Sequence, residues 1–231
     1  LVRDVKFGGG ASMKTRAAAA ELAASMEAVG ERMGVQISHL LNPMDEPLGE
    51  TVGNALEVAE AVATLQGRGP NDLVELTLDL AAQVATAPRE QLARWLADGS
   101  AWQKFVAMVE AQEGDASVLE EITAHHSAPL WQPLPAPRGG LIARMDAEAI
   151  GRAALLLGAG RAKADDAIDF AVGFSPIKKV GAEVGPNDPL LYIHARPGAD
   201  RAAALGCGDT AGPTDQQARR DPVAGQRGKP S

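Results

Sequence analysis

The residues best suited to hold a ligand lie in a glycine-rich segment near the start of the chain. The segment contains Lys6, Gly8, Gly9, Gly10 and Ala11. Main-chain N–H groups of glycine are not obstructed by side chains, and with a cation and a following helix they can bind an anion. The segment is not a P-loop, because its lysine precedes the glycines. A tight turn after a strand is the competing interpretation.

A second candidate site combines a glycine-broken loop with the acidic start of a helix. Residues 42–49 read NPMDEPLG, and the helix predicted from residue 54 carries Glu57 and Glu60 in its first two turns. Loop carbonyls beside a carboxylate suit a hard cation, which prefers oxygen ligands. The alternative is helix capping by Asn54, with the acidic residues favoured near the positive end of the helix dipole. The spacing alone leaves both interpretations open.

Histidine and cysteine offer weaker candidates. His125 and His126 are adjacent, so their side chains face apart, and no carboxylate stands at a metal-ligand spacing from them. His194 ends a predicted strand and is interpreted as a packed or capping residue. Cys207 is the only cysteine, which excludes an intrachain disulfide and a cysteine-based zinc site. This usage is typical of a reducing compartment, so a cytoplasmic location is expected.

The elements that position these residues begin with a predicted βαβ unit. Residues 1–7 predict a buried strand, residues 15–33 an amphipathic helix and residues 35–41 a second strand. In such a unit the strands are parallel and a ligand binds at their carboxyl ends. We therefore expect the site near residues 8–13.

The middle of the chain is predicted to be helical and to end at a proline-rich break. Apolar periodicity predicts four helices, at residues 54–65, 71–87, 89–97 and 101–112. Four prolines, followed by two glycines, predict a linker at residues 129–138. The first predicted domain, residues 1–128, is thus α/β, with a partial parallel sheet and flanking helices.

A small α+β domain is predicted in residues 139–196. A helix at residues 147–157 is surrounded by three short β-like runs, at residues 141–143, 168–172 and 190–194. Residues 197–231 carry almost no large apolar side chain, so they cannot offset the entropy cost of ordering. We predict that this tail is disordered.

Charge and hydropathy argue against two classes of partner. The 231 residues include 30 acidic and 22 basic side chains, a formal charge of −8, which argues against gripping a nucleic-acid backbone. No apolar run reaches the roughly 18 residues of a membrane-spanning helix, and no secretory signal pattern opens the chain. Leu1 stands inside an apolar strand pattern, which we interpret as truncation.

Four motifs, in this order along the chain, resemble those of thymidine and pyrimidine-nucleoside phosphorylases. They are DVKFGGGASMKT, PLGETVGNALEVAEA, GAGRAKADDAIDFAVGF and KKVGAEVGPNDPLLYIHA. The resemblance covers residues 1–195 and implies an α/β domain followed by a small barrel-sandwich-like domain. It implies a pentosyltransferase that reversibly converts thymidine or uridine and phosphate, its co-substrate, to the free base and (deoxy)ribose 1-phosphate. Family members are homodimers through their helical lobe.

The resemblance also implies roles for the glycine segment. Lys6 and residues 8–11 correspond to the wall of the substrate cleft. Ser12 corresponds to a position that lines the base pocket and is commonly Phe or Val in the family, so here a hydroxyl replaces apolar contact area. The family binds phosphate and base through residues upstream of the strand that opens this chain. No catalytic residue is therefore expected in the chain, which alone is expected to be inactive.

The second motif acquires a specific interpretation from the same resemblance. Bacterial relatives bind a monovalent cation, potassium, through two carbonyls and a glutamate that correspond to Leu48, Thr51 and Glu60. The family supplies further ligands from its upstream phosphate loop, so this half-site alone is expected to bind weakly. Two alternatives remain for the whole chain. One is a non-catalytic remnant or interaction module of the same family. The other is the related anthranilate phosphoribosyltransferase architecture with magnesium, against which the second motif and the small terminal domain count.

Overall fold

The computed structural model describes residues 1–161 and 163–199. The chain begins with strand β1 (Val2–Phe7), helix α1 (Arg16–Arg32) and strand β2 (Ser38–Pro43). The two strands pair in parallel. The predicted βαβ unit is therefore present, although its second strand starts three residues later than predicted.

Helix α1 covers one face of the β1–β2 pair. Thr15 caps it, since its side-chain Oγ1 accepts a hydrogen bond from the N–H of Ala18 at 3.2 Å. Ala19 and Ala23 are fully buried against Val5 of β1. Small side chains on the helix let it approach the sheet closely, which buries the apolar face of both strands.

The middle of the chain is helical, as predicted. It contains α2 (Asn54–Leu65), α3 (Asn71–Ala82), α4 (Arg89–Ala97), α5 (Ser100–Ala111), a 3-10 helix (Ala116–Glu121) and the single turn α6 (Ile122–His125). Helix α3 ends five residues before its predicted end. Beyond this turn Arg89, at the start of α4, binds Glu75 and Asp79 of α3, at 2.6 and 3.0 Å.

The small domain is built from short antiparallel strands and one helix. Its elements are β3 (Leu130–Pro135), β4 (Gly140–Leu141), α7 (Ala147–Leu157), β5 (Gly173–Phe174), β6 (Glu183–Val184) and β7 (Pro189–Ala195). One sheet has the order β3-β7-β5, and β4 pairs with β6. Residues 168–172, predicted as β-like, precede β5 and form no strand.

Residues 129–138, expected to be a linker, contain strand β3 and so contribute to the small domain. β3 pairs with β7 along its length, with Pro133 opposite Tyr192. Prolines are compatible with this position because β3 is an edge strand, where a missing N–H group breaks no ladder hydrogen bond. The proline content that predicted a linker therefore marks a sheet edge.

The core of the small domain lies between α7 and β7. Val172 and Ile193 are 0% and 1% exposed, and Phe174 packs with them against Ala153 and Leu157 of α7. Asp146 caps the helix by accepting a hydrogen bond from the N–H of Ala149 at 3.0 Å.

The predicted disordered tail falls, from residue 200 onward, outside the described residues. Within the described ranges, no helix combines the length and the apolar composition that crossing a bilayer requires.

Candidate functional site

The glycine loop after β1 is a compact turn whose N–H groups are already bound within the protein. The N–H groups of four consecutive residues each donate a hydrogen bond: Gly8 to Met13 O at 3.0 Å, Gly9 to Asp45 Oδ1 at 2.8 Å, Gly10 to Met44 O at 2.8 Å and Ala11 to Gly8 O at 3.2 Å. An anion could bind these groups only by displacing their acceptors. The geometry therefore suits a cleft wall better than an anion cradle.

Two of these glycines are needed because other parts of the chain approach them closely. Gly8 has a φ of +109°, and a Cβ there would lie 2.6 Å from Asp45 Oδ1. A Cβ on Gly10 would lie 2.7 Å from the Cβ of Ala147, the first residue of α7. The N–H of Ala147 in turn donates to the Asp45 carbonyl at 3.0 Å. The glycine loop thus packs against both the end of β2 and the small domain.

Lys6 lies on the polar face of the sheet, opposite the face that α1 covers. Its ammonium is 2.7 Å from Asp4 Oδ2, and Asn42 Nδ2 donates to Asp4 Oδ1 at 2.7 Å. Lys6 and Asn42 also face each other in the strand register. Asp4 therefore holds a cation and an amide side by side near the carboxyl ends of both strands.

A cavity of about 440 Å³ opens at these strand ends. Lys6 and Asn42 line it together with Leu48 and with Arg144 of the small domain. Ser12 is exposed and is not part of its lining. The structure thus brings the first candidate segment to the start of the second through Lys6 and Leu48, whereas Ser12 lies apart.

The loop between β2 and α2 is held along its length by the small domain. Five of its carbonyls accept hydrogen bonds from the small domain, in the following pairs: Asp45 from Ala147 N, Pro47 and Gly49 from Lys179 Nζ, Glu50 from Ile177 N and Val52 from Phe174 N. Throughout the described parts of the chain, nothing donates to the carbonyls of Leu48 and Thr51. These are the two carbonyls that the resemblance implies as cation ligands.

Glu60 lies against the same loop. Its Oε1 accepts a hydrogen bond from the N–H of Glu50 at 2.7 Å, and a Cβ on Gly49 would lie 2.1 Å from its Oε2. Burial raises the pKa of Glu60 above its ordinary value, although the Glu50 N–H and the Thr51 side chain oppose this effect. The Thr51 hydroxyl is buried and makes no hydrogen bond of normal geometry with any described residue. A buried hydroxyl, two free carbonyls and a carboxylate belong to one short stretch of chain.

Comparison with known proteins identifies relatives of the chain. Residues 141–206 match the family model described as the pyrimidine nucleoside phosphorylase C-terminal domain. The pyrimidine-nucleoside phosphorylase of Bacillus subtilis (strain 168) is 41% identical over 204 residues, which are 84% of this chain and 47% of that protein. The thymidine phosphorylase of Burkholderia orbicola (strain MC0-3) is 39% identical over 220 residues, 90% of this chain and 50% of that protein.

The chain belongs to the thymidine and pyrimidine-nucleoside phosphorylase family. It spans about half the length of these curated relatives. The family predicted from the four motifs is therefore confirmed.

Histidine side chains contribute little to the candidate site of this chain. His125 and His126 are exposed, and His126 meets the Phe170 ring edge-on at 5.6 Å. His194 Nε2 is 2.9 Å from Ser175 Oγ, and burial lowers the pKa of the imidazole. Among the described residues, no three His, Cys, Asp or Glu side chains cluster as a metal site would require.

Sequence reasoning missed Asp72 and Lys179 in the site region of this chain, and it named Asp45 only as part of the candidate loop 42–49. Asp45 binds the glycine loop, while Asp72 and Lys179 form an ion pair of 2.9 Å beside Gly49. Lys179 is 130 positions from Gly49 in the sequence, so no local spacing could have revealed the contact. The repeated lysine of the KKVG motif was the only available signal.

Proposed function

We propose that this chain is part of a pyrimidine-nucleoside phosphorylase. Such a pentosyltransferase uses phosphate to release the base of thymidine or uridine reversibly, with (deoxy)ribose 1-phosphate as the second product. The supporting observation is the identity of 41% to a pyrimidine-nucleoside phosphorylase along 84% of the chain. A homodimer and a cytoplasmic location are proposed from the family resemblance and from the single cysteine.

The reaction sets clear demands on the site. Phosphate must be aligned with C1 of the sugar, and the departing base needs hydrogen-bond donors for its developing negative charge. Lys6 provides a cation at the strand ends, and Asp4 keeps it in place. We propose that Lys6 and the glycine loop form a wall of the substrate cleft and that Ser12, which is exposed and outside the cavity that Lys6 lines, faces the base. On this view the 231 residues alone are expected to be inactive.

A monovalent cation, potassium, is proposed at Leu48, Thr51 and Glu60. Two observations support this site: the carbonyls of Leu48 and Thr51 are without donors in the described chain, and the Thr51 hydroxyl is buried without a normal partner. A carboxylate and carbonyl oxygens suit a hard cation. The alternative for this segment is helix capping. Asn54 does not cap α2 and instead donates to the Ala159 carbonyl at 2.8 Å, whereas Glu57 Oε1 accepts a hydrogen bond from the N–H of Gly53 at 3.0 Å.

The proposed activity can be tested with a chimera. The part of the Bacillus subtilis relative that precedes the matched region is fused in frame to this chain, and phosphate-dependent release of thymine and uracil is measured chromatographically. We expect release by the chimera and none by the 231 residues alone. Lys6→Ala should lower the rate, whereas Lys178→Ala, at an exposed lysine, should not. A folded chimera that releases neither base would refute the proposal.

A non-catalytic interaction module is the second candidate. Apolar side chains are exposed near one end of the α/β unit, among them Met33 at 73% and Leu1 at 61% exposure. Unpaired apolar surface of this kind favours contact with another polypeptide. Native mass spectrometry of the 231 residues would support this candidate if it shows a stable complex that Met33→Lys abolishes. A monomer would count against it.

A further inference from the structure

Lys179 of the small domain inserts its ammonium into the loop that carries the proposed cation ligands. It donates to the Gly49 carbonyl at 3.0 Å and to the Pro47 carbonyl, and it lies 2.9 Å from Asp72 Oδ2. An ammonium has three N–H donors, so these three oxygens use all of them. The side chain is 23% exposed, which makes this a partly buried contact between two parts of the fold.

Gly49 is held at both of its backbone polar groups by this ion pair. Its N–H donates to Asp72 Oδ2 at 3.1 Å, and its carbonyl accepts from Lys179. Gly49 is also the residue against which the Glu60 carboxylate packs. The Lys179–Asp72 pair therefore fixes the part of the loop that determines where Glu60 can lie.

The same contact decides which carbonyls remain available. Lys179 takes the carbonyls on either side of Leu48, and the Leu48 carbonyl itself accepts no hydrogen bond from any described residue. If the ammonium were removed, the carbonyls of Pro47 and Gly49 would lose their donor, and the loop would lose the restraint that singles out Leu48. Ligands that are not held in place bind a cation more weakly.

We propose that Lys179 is a positioning residue for the monovalent-cation site. Its ammonium, paired with Asp72, holds the loop in the conformation that leaves the Leu48 and Thr51 carbonyls without donors among the described residues and seats the Glu60 carboxylate against Gly49. The small domain would thereby contribute to cation affinity without supplying a ligand. The inference rests on the proposed potassium site and adds a role for the small domain to it.

The test measures binding of thallium(I), a potassium substitute, to the 231-residue chain by ²⁰⁵Tl NMR at constant ionic strength. Lys179→Met is compared with Lys178→Met, which removes the exposed neighbouring ammonium, and with Glu60→Gln, which removes a proposed ligand. Circular dichroism at the same temperature shows whether each variant is folded. Since a supporting partner typically contributes about 10-fold or more to affinity, we expect a loss of at least that size for Lys179→Met and little change for Lys178→Met.

A chemical rescue separates positioning from general destabilisation. Lys179→Cys in a Cys207→Ser background is alkylated with bromoethylamine, which restores an ammonium at nearly the original position. Recovery of thallium affinity supports the proposal, and failure to recover in a folded, fully alkylated protein overturns it. Equal affinity in Lys179→Met and the unmodified chain overturns the role of Lys179 but leaves the cation site standing. The cation site and the role of Lys179 both fail in either of two cases. In one, the unmodified chain shows no saturable thallium binding, and in the other, its saturable binding persists in Glu60→Gln.

Discussion

The carboxylate of Asp45 accepts a hydrogen bond from the N–H group of Gly9 at 2.8 Å, across 36 positions of sequence. This contact joins the loop after β1 to the loop after β2. Both loops follow parallel strands, so they emerge at the same edge of the sheet. Asp45 occupies the place beside Gly9 that an anion would take on a free glycine loop.

Removing the Asp45 carboxylate should loosen this edge of the sheet. Asp45→Ala is expected to lower the free energy of unfolding by about 1 kcal/mol, the usual net value of one hydrogen bond. Urea denaturation measures the change, with Asp165→Ala at an exposed loop position as the control. Equal stability of the two variants would show that the Gly9 contact contributes nothing.

Gly49 and Gly34 provide a matched pair for testing the approach of Glu60. Their φ angles are +72° and +71°, but a Cβ on Gly49 would lie 2.1 Å from Glu60 Oε2, whereas a Cβ on Gly34 would meet nothing within 4 Å. Gly34→Ala should cost about 1–2 kcal/mol from the left-handed backbone alone. Gly49→Ala should cost about 1–3 kcal/mol more because of the crowded carboxylate. Similar costs in urea denaturation would contradict the close contact.

Stability in acid should report the Asp72–Lys179 pair. Burial raises the pKa of Asp72. The hydrogen bond and charge of Lys179 and the N–H groups of Gly49 and Leu73 lower it, and their combined effect is larger, so the pKa lies below the ordinary 3.8. The ionised carboxylate therefore contributes stability that is fully present above pH 3.8 and is lost as the pH falls through the lower folded pKa.

Asp72→Asn should remove this part of the acid dependence. The free energy of unfolding is measured against pH for the unmodified chain, Asp72→Asn and the exposed control Asp165→Asn. We expect a shallower acid slope only in Asp72→Asn. An unchanged slope there would mean that the ion pair does not operate in solution.

Glu60 should give the opposite pH dependence. Because burial raises its pKa above the ordinary 4.5, the folded protein binds more protons than the unfolded chain between the two values, and stability declines as the pH rises through this window. Glu60→Gln should abolish the decline, and Glu31→Gln, at an exposed position, should not. At the proposed site potassium would bind the ionised carboxylate, so any stabilising effect of potassium should grow with pH over the same range. A potassium effect independent of pH would count against Glu60 as a ligand.

The core of the small domain should be sensitive to truncation. Ile193 is 1% exposed, so Ile193→Ala should cost about 2–5 kcal/mol in lost burial and cavity formation. Leu156 on α7 is 54% exposed, and Leu156→Ala should cost far less, since little apolar area is lost. Urea denaturation with intrinsic tryptophan fluorescence compares the two, and comparable losses would contradict the assigned core.

Helices were more predictable than strands in this chain. The bounds of α2, α4 and α7 coincide with the predicted ones, because helical periodicity is carried by residues close in sequence. Strand β3 was missed because its prolines are typical of a linker, and only its pairing with β7, about 60 positions away, makes it an edge strand. Strand β2 starts late for a similar reason, since its length is set by its partner β1.

By itself, the sequence determined the βαβ unit, the glycine requirement after β1, the family and the acceptor types that could bind a cation. Only the tertiary structure decided which acceptors are available. Lys179, Ile177 and Phe174 of the small domain take the neighbouring carbonyls of the loop, and no described residue donates to those of Leu48 and Thr51. A carbonyl is present at every residue, so its availability depends on which distant donor reaches it. Local sequence encodes periodicity and backbone freedom, whereas the choice of donor follows from how the two parts of the chain pack.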